Sequence, residues 1–426
     1  MALEEGPGGD QSAARDTRLW HSQALMSAVR GRERLIARGE GAYVWDEDGN
    51  RLLDATASLW YCNVGHGRAE IADAVDAQMR RLEAYHCFQQ FATRPAVELA
   101  ERLAAMVPID DARIYLTSGG GDSVEAAAKL ARRFWDVVGR PEKRLIITRE
   151  LCYHGLHGFG TGIAGLDVNR TGQGELLADT ERVATNEAEA LARVVAEHGA
   201  DAVAAFFCEP IIGAGGVVHP ADGYLDQVQR ICRQNEILFV VDEVITGFGR
   251  TGEMFASERY GLAPDVMVMA KGVTSGYQPL GAVAIAEPVW APFWEPGSEA
   301  VFHHAITYSG HASACAAALA NLEILEREDL AGRVAALERP LAEALAPLES
   351  HPLVREVRAG VGLLAGIELH DPAKAEETAR RCLDAGVILR AITNGTLQVS
   401  PPFVIDESDI ELLAGVIAAE LDRVAA

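Results

Sequence analysis

Short apolar blocks recur through the middle of this chain, at Ile114–Leu116, Leu145–Thr148, Val203–Cys208, Ile237–Val241 and Val266–Met269. Their brevity and their β-branched and aromatic content predict buried strands. Between several of them lie Ser123–Val138, Glu187–His198 and Gly223–Gln234, whose apolar residues are spaced as in helices. Strands alternating with helices predict an α/β fold with a mostly parallel central sheet and helices on both faces. Ligands of such sheets bind beyond the carboxyl ends of the strands. A further apolar run, Ala282–Ala286, follows the last block after a Gly/Ser/Thr-rich turn.

The two ends of the chain have other patterns. Residues 1–16 are rich in Gly, Ala and Asp and predict a disordered tail. Leu19–Val29 predicts a short helix. Leu35–Ala37 and Ala42–Trp45 alternate as strands do, and the turn Asp46–Asn50 leads into Arg51–Asp54, giving a small meander. An aromatic, Gly-punctuated loop, Leu59–Gly67, precedes helical spacing at Ile71, Val75, Met79 and Leu82. After Gly310 the composition turns to Ala, Leu and Glu. Helices are expected at Ala314–Glu326, Ala331–Leu348, Ala373–Ala385 and from Glu407 onward. Strands are expected at Val354–Val357, Leu363–Leu369, Val387–Arg390 and Thr396–Ser400. The meander is too small to stand alone and is expected to pack with this C-terminal unit. The resulting division is a tail (1–16), the N-terminal part of a small domain (17–60), a large domain (61–309) and the C-terminal part of the small domain (310–426).

Composition narrows the class. With 426 residues, 49% of them hydrophobic, the chain can bury a large core and form two domains. Its net charge of −24 repels nucleic acid and anionic membranes, so neither is an expected partner. Seven scattered cysteines, none in a C-x-x-C pair, argue against a disulfide framework or structural zinc, and no metal is expected. The N-terminal run lacks the apolar core of a secretory signal, and no apolar run reaches 18 residues. A cytoplasmic protein is the expectation.

Several strand ends carry residues that strands do not need. Lys271 follows Val266–Met269, where an ammonium is costly unless paired or deprotonated. It is either a lysine emerging into solvent or an amine poised to attack a carbonyl. Thr117–Ser123 (T-S-G-G-G-D-S) is either an ordinary strand-to-helix turn or a cradle in which glycine amides and a helix N-terminus hold phosphate. Tyr153 either packs over the sheet edge or stacks on a flat ring. Glu209 is either a cap or a site residue. Asp242 ends an apolar strand and needs a cationic or donor partner. Gly247–Gly252 fits G-x-G-x-x-G as a string, but five residues separate it from the strand, so a dinucleotide fingerprint is not expected. One ligand needs the whole set, pyridoxal phosphate. Its phosphate takes the glycine loop, its aldehyde the lysine, and its pyridinium nitrogen the carboxylate.

Four segments carry a family resemblance: Glu209–Val217 (EPIIGAGGV), Val241–Gly252 (VDEVITGFGRTG), Met269–Ala282 (MAKGVTSGYQPLGA) and Thr307–His311 (TYSGH). Over nearly its full length the chain resembles the class III pyridoxal-phosphate-dependent aminotransferases of fold type I. It is most similar to their ω-amino acid and amine:pyruvate branch. The resemblance implies a large domain with a mostly parallel sheet and a smaller α/β domain built from both termini. It implies that Lys271 is the Schiff-base lysine and Asp242 the partner of the pyridine nitrogen. Val244 and Tyr153 would pack on opposite ring faces, and Gly120 and Gly121 would bind phosphate through backbone amides, with Glu209 also at the cofactor. Thr307 would reach the phosphate of a neighbouring subunit, implying a homodimer, with a tetramer as alternative. Trp60 and Tyr153 would line the substrate pocket, and Arg390 stands where the branch carries an arginine for substrate carboxylates.

Three departures mark this chain. Gly120-Gly121-Asp122-Ser123 replaces the usual G-S-E-A, losing a serine contact to phosphate unless Ser123 or Ser118 substitutes. The segment after Arg390, residues 391–395, is one residue longer than usual. His304-Ala305-Ile306 stands where H-G-x is common before Thr307. The implied activity is ping-pong transfer of an amino group from an amine or ω-amino acid donor to a keto acid, with pyruvate expected. Alternatives are a 2-oxoglutarate-dependent aminotransferase, an aminomutase, a decarboxylating transaminase, or a non-catalytic binding protein on the same scaffold.

Overall fold

The computed structural model describes residues 18–392 and 394–426, so the tail over 1–16 lies outside the described residues. At its centre is a seven-stranded sheet. Its order is Arg113–Thr117, Gly281–Ile285, Val266–Met269, Leu238–Asp242, Val203–Cys208, Leu145–Arg149 and Thr180–Val183. Gly281–Ile285 runs antiparallel to both neighbours, and the other strands share one direction. The carboxyl ends at Thr117, Arg149, Cys208, Asp242 and Met269 therefore lie along one edge. Leu145–Arg149, Val203–Cys208, Leu238–Asp242, Val266–Met269 and Gly281–Ile285 are buried at every position, which is why they read as unbroken apolar blocks. Helix Gly120–Val137 packs Val124, Ala127, Ala131 and Phe134 on one face of the sheet. On the other face of Phe206 and Phe239 lie Leu191 of Ala188–His198 and Val228 of Tyr224–Gln234.

Two four-stranded sheets complete the fold. Ile36–Glu40, Tyr43–Asp46 and Arg51–Asp54 form an antiparallel meander, and Val387–Ile388 adds in parallel, pairing Val387 with Leu53. The second sheet orders Val354–Arg358, Ala365–Leu369, Thr396–Val399 and Arg390–Ile392, all antiparallel. The N-terminal meander is thus joined to C-terminal backbone by direct pairing. Among the described residues no helix is long and apolar enough to cross a membrane.

Several elements differ from expectation. The helix expected over Leu19–Val29 shrinks to Met26–Val29, none of it buried. Leu19, Trp20 and Leu25 are exposed, and a short helix without a surface to pack on lacks most of its stabilisation. The single strand expected at Val387–Arg390 breaks at Leu389, because there the chain leaves one small sheet and enters the other. Helix Arg94–Met106 adds to the elements expected from the sequence. Its signals were present, with Thr93 accepting from Ala96 N, Pro95 in the first turn, and Ala96, Leu99 and Leu103 on the buried face. Edge strand Thr180–Val183 buries only Val183 and has no apolar block to reveal it.

Candidate active site

A cavity of about 440 Å³ opens at the carboxyl edge of the central sheet. Lys271, Asp242, Glu209, Tyr153, Val244 and the Gly120-Gly121 pair all line it. Lys271 begins a single 3-10 turn, Lys271–Val273, just past the strand, and its φ of +48° lies in the left-handed region. That conformation is unfavourable for a long side chain and must be imposed by its surroundings. Asn321 does so from below, donating through Nδ2 to the carbonyls of Gly272 at 2.9 Å and Val273 at 3.0 Å. Burial lowers the Lys271 pKa to about 8, while Asp242 and Glu209 hold it up and Arg390 and Arg250 push it further down. Far more of the side chain is therefore free amine near neutrality than for an ordinary lysine.

Asp242 is buried, and both of its oxygens are engaged. Oδ1 accepts from Val244 N at 3.0 Å, and Oδ2 lies 2.8 Å from His154 Nδ1. His154 is buried too. Burial favours its neutral ring, but Cys152 and Asp242 raise its pKa well above the ordinary imidazole value. The pair is a carboxylate backed by an imidazole, which steadies the aspartate's charge and aim. His154 was passed over in the sequence. Its partner lies 88 residues away, and only the pairing of strands in the sheet brings the two together.

Glu209 braces rather than projects. Its oxygens accept from Tyr153 N at 3.0 Å and Gly213 N at 2.9 Å, fixing the two loops that follow the Leu145–Arg149 and Val203–Cys208 strands. Burial raises its pKa, opposed by those amides. The Gly120 and Gly121 amides open helix Gly120–Val137. A Cβ on Gly120 would come 3.1 Å from Val244, so the valine side chain lies directly over the glycine. Of the two serines that could stand in at this loop, Ser123 is turned inward. Its hydroxyl lies 2.6 Å from Thr117 Oγ1 and donates to Met269 O at 3.2 Å. Ser118 Oγ is buried, lines the cavity and, among the described residues, has no hydrogen-bond partner.

Trp60 and Arg390 adjoin this group. The Trp60 ring centroid is 4.9 Å from Lys271 Nζ and 5.3 Å from Arg390 Cζ. Trp60 is buried, with φ +62°. Arg390, expected at the end of strand Val387–Arg390, instead begins strand Arg390–Ile392 and pairs with Gln398. Among the described residues no acid pairs with it, and burial lowers its pKa while Tyr153 opposes that shift. Thr393, in the longer segment, lies outside the described residues. Thr307 is exposed and outside this chain's cavity, on a segment tied to the sheet by Tyr115 OH to His304 O at 2.9 Å and Ser309 Oγ to Leu116 O at 2.6 Å. Tyr61, Thr274 and Gln278 also line the cavity; Tyr61 lies in the aromatic Leu59–Gly67 loop and the other two in the Met269–Ala282 segment, neither of which marks them individually.

The fit to pyridoxal phosphate follows from the donors present. An unpartnered buried hydroxyl and two glycine amides at a helix start suit phosphate. An amine whose pKa burial brings down to about 8 suits an aldehyde, and a carboxylate backed by imidazole suits a protonated ring nitrogen.

Comparisons with known proteins agree with this chemistry. The family model described as Aminotransferase class-III matches residues 26–421. The chain is 38% identical to a putrescine–pyruvate aminotransferase of Pseudomonas aeruginosa, over 92% of this chain and 91% of the relative. It is 35% identical to an omega-aminotransferase of Caulobacter vibrioides, over 92% and 94%. Among solved structures it is similar to a PLP-bound amine transaminase from an uncultivated Pseudomonas species, with TM-score 0.91, 35% identity and coverage of 96% and 100%. An (S)-enantioselective omega-transaminase from Thermomicrobium roseum gives TM-score 0.92 and 36% identity over 95% and 96%.

Proposed function

The chain belongs to the class-III aminotransferases, and from that premise we propose that it moves the amino group of an amine or ω-amino acid donor onto pyruvate. It is a pyridoxal-phosphate-dependent enzyme of fold type I. The observation that carries the reading is Lys271, an amine with a pKa near 8 held at the strand end beside a carboxylate–imidazole pair. When bound, pyridoxal phosphate supplies an aldehyde that captures amines and a ring that accepts the electron pair left when the donor carbon loses its proton.

The chain's own residues do the rest. Lys271 Nζ would hold the aldehyde and serve as the base that takes the proton from the donor carbon and returns it. Asp242 would face the ring nitrogen, with His154 orienting Asp242. Gly120, Gly121 and Ser118 would hold the phosphate, and Tyr153 and Val244 would flank the ring, with Glu209 bracing the Tyr153 loop. Trp60 and Tyr153 bound the substrate space. Among the described residues Arg390 has no acid partner, and it lies against Trp60, which suits it to a keto acid's carboxylate. The acceptor named for the Pseudomonas aeruginosa relative is pyruvate, which supports the choice here.

Thr307 completes the phosphate site of a second copy in this reading, so the enzyme is a dimer. Its exposure outside this chain's own cavity, and the exposed Tyr85, Phe88, Phe91 and Tyr308, support that. The dimer's large domain spans 61–309, the small domain spans 17–60 with 310–426, and seven free cysteines suit the cytoplasm. A panel of amine donors, run with pyruvate and 2-oxoglutarate as competing acceptors, tests the assignment. Preference for 2-oxoglutarate, or product formation with no acceptor, overturns it. Stripping the cofactor should lower the dimer's Tm, and Thr307→Ala should loosen cofactor retention. Tight cofactor binding by a monomer would contradict the shared site.

A further inference from the structure

Gly121 leaves an opening in the phosphate cradle, and an imidazole occupies it. A Cβ on Gly121 would meet the His157 ring, with Nε2 nearest at 3.2 Å. The other ring nitrogen, Nδ1, lies 3.3 Å from Asp122 Oδ1, in the first turn of the same helix. His157 thus presents Nε2 to the helix start while a carboxylate holds its far side.

The ring's placement is built in, not incidental. Gly155, with φ +78°, lies so close that a Cβ on it would come within 2.9 Å of Gly121 Cα, so the loop rests on the cradle's backbone. Two residues beyond His157, Phe159 N donates to Glu125 Oε2 at 2.8 Å, tying the loop to the helix on its other side. The carboxylate against the ring is that of Asp122, while Glu125 takes the backbone N–H two residues on, and an incoming phosphate adds negative charge on the other side of the ring. An imidazolium donates from both nitrogens, so it can serve Asp122 and phosphate together.

We propose that His157 is a phosphate-holding residue of the cofactor site, donating from Nε2 in the space that Gly121 leaves open. The proposal rests on the reading of the cavity as a pyridoxal-phosphate site. It also accounts for Asp122. A carboxylate one residue from the cradle would repel phosphate, and an imidazolium between the two turns that repulsion into a chain of charge-assisted contacts.

The test separates phosphate from the rest of the cofactor. Cofactor-free protein is titrated with pyridoxal phosphate and, in parallel, with pyridoxal, which lacks the phosphate, following the visible absorbance that Lys271 produces. His157→Ala should weaken pyridoxal phosphate about tenfold, as expected for losing one charge-assisted hydrogen bond, and leave pyridoxal unchanged. The double variant Gly121→Ser with His157→Ala should recover part of that loss, because a serine hydroxyl then fills the vacated space. Equal weakening of both ligands would mean a structural role and overturns the proposal. So does pyridoxal phosphate binding that His157→Ala leaves unaltered, or a double variant as weak as the single one. If wild-type protein gives no Lys271-dependent band with either ligand, the cofactor reading fails and the proposal falls with it.

Discussion

Two lysines in this chain have pKa values brought down to about 8 by burial, and both lie against a tryptophan. Lys143 Nζ is 4.4 Å from the Trp135 ring centroid, and Lys271 Nζ is 4.9 Å from that of Trp60. Their placement separates them. Lys143 precedes strand Leu145–Arg149, is fully buried, and spends its amine on the Ala200 carbonyl at 2.8 Å. Lys271 follows strand Val266–Met269, faces a cavity, and shares that cavity with a carboxylate–imidazole pair. A lowered pKa alone does not mark a reactive amine. It must stand at the carboxyl edge, with room for a carbonyl and no carbonyl oxygen already holding it.

The sharpest way to break this comparison is to exchange the two losses. Lys271→Ala should remove turnover by on the order of 10⁴-fold or more, since it deletes the amine that moves the proton. Lys143→Met should leave turnover near wild type. A Lys271→Ala variant of near-normal rate, or a Lys143→Met variant without activity, would reverse the roles. Asp242→Asn tests whether Lys271 needs its charged neighbour. It should slow proton abstraction on the order of 10³-fold while the donor KM changes little. A change confined to KM would deny Asp242 its part. Arg390→Ala should slow the pyruvate half-reaction roughly 10²-fold and leave the half-reaction of a carboxylate-free amine unaltered. Equal loss in both halves, followed by absorbance, would make Arg390 structural.

The smallest effect concerns stability. The Lys143 pKa is lower in the folded chain than the 10.5 of a free lysine, so between about pH 8 and 10.5 the unfolded chain binds more protons. Lys143 therefore opposes folding fully below pH 8, and the opposition fades as pH rises toward 10.5. Lys143→Met should shift Tm by a few degrees at most, and its advantage over wild type should shrink across that window. An advantage that grows with pH would contradict the assigned direction.

Much of the site is legible in the sequence because its residues sit at the ends of strands whose apolar blocks are unmistakable. Lys271, Asp242 and Glu209 each follow such a block, so chain order alone sets them along one edge. His154 is not legible, because its meaning depends on Asp242 two strands away. Ser118 and Ser123 look equivalent as letters. Only the helix's first turn decides that Ser123 faces the sheet and Ser118 the cavity. Arg390 reads as the end of one strand, Val387–Arg390, because the break at Leu389, where one sheet hands the chain to another, leaves no signature in hydropathy.

The one reversed strand of the central sheet also bears on how the site assembles. Because Gly281–Ile285 runs back against Val266–Met269, with Ala282 opposite Met269, the segment carrying Lys271 is closed as a hairpin rather than by a helical crossover. Closing a short loop takes little chain entropy. The lysine's strand end is thus set by neighbours in sequence, while Asn321, which fixes its turn, and the groups that tune it arrive from distant stretches of chain. Substitutions at the tuning groups Asp242 and Glu209 can alter the reactivity of the amine and leave its position intact.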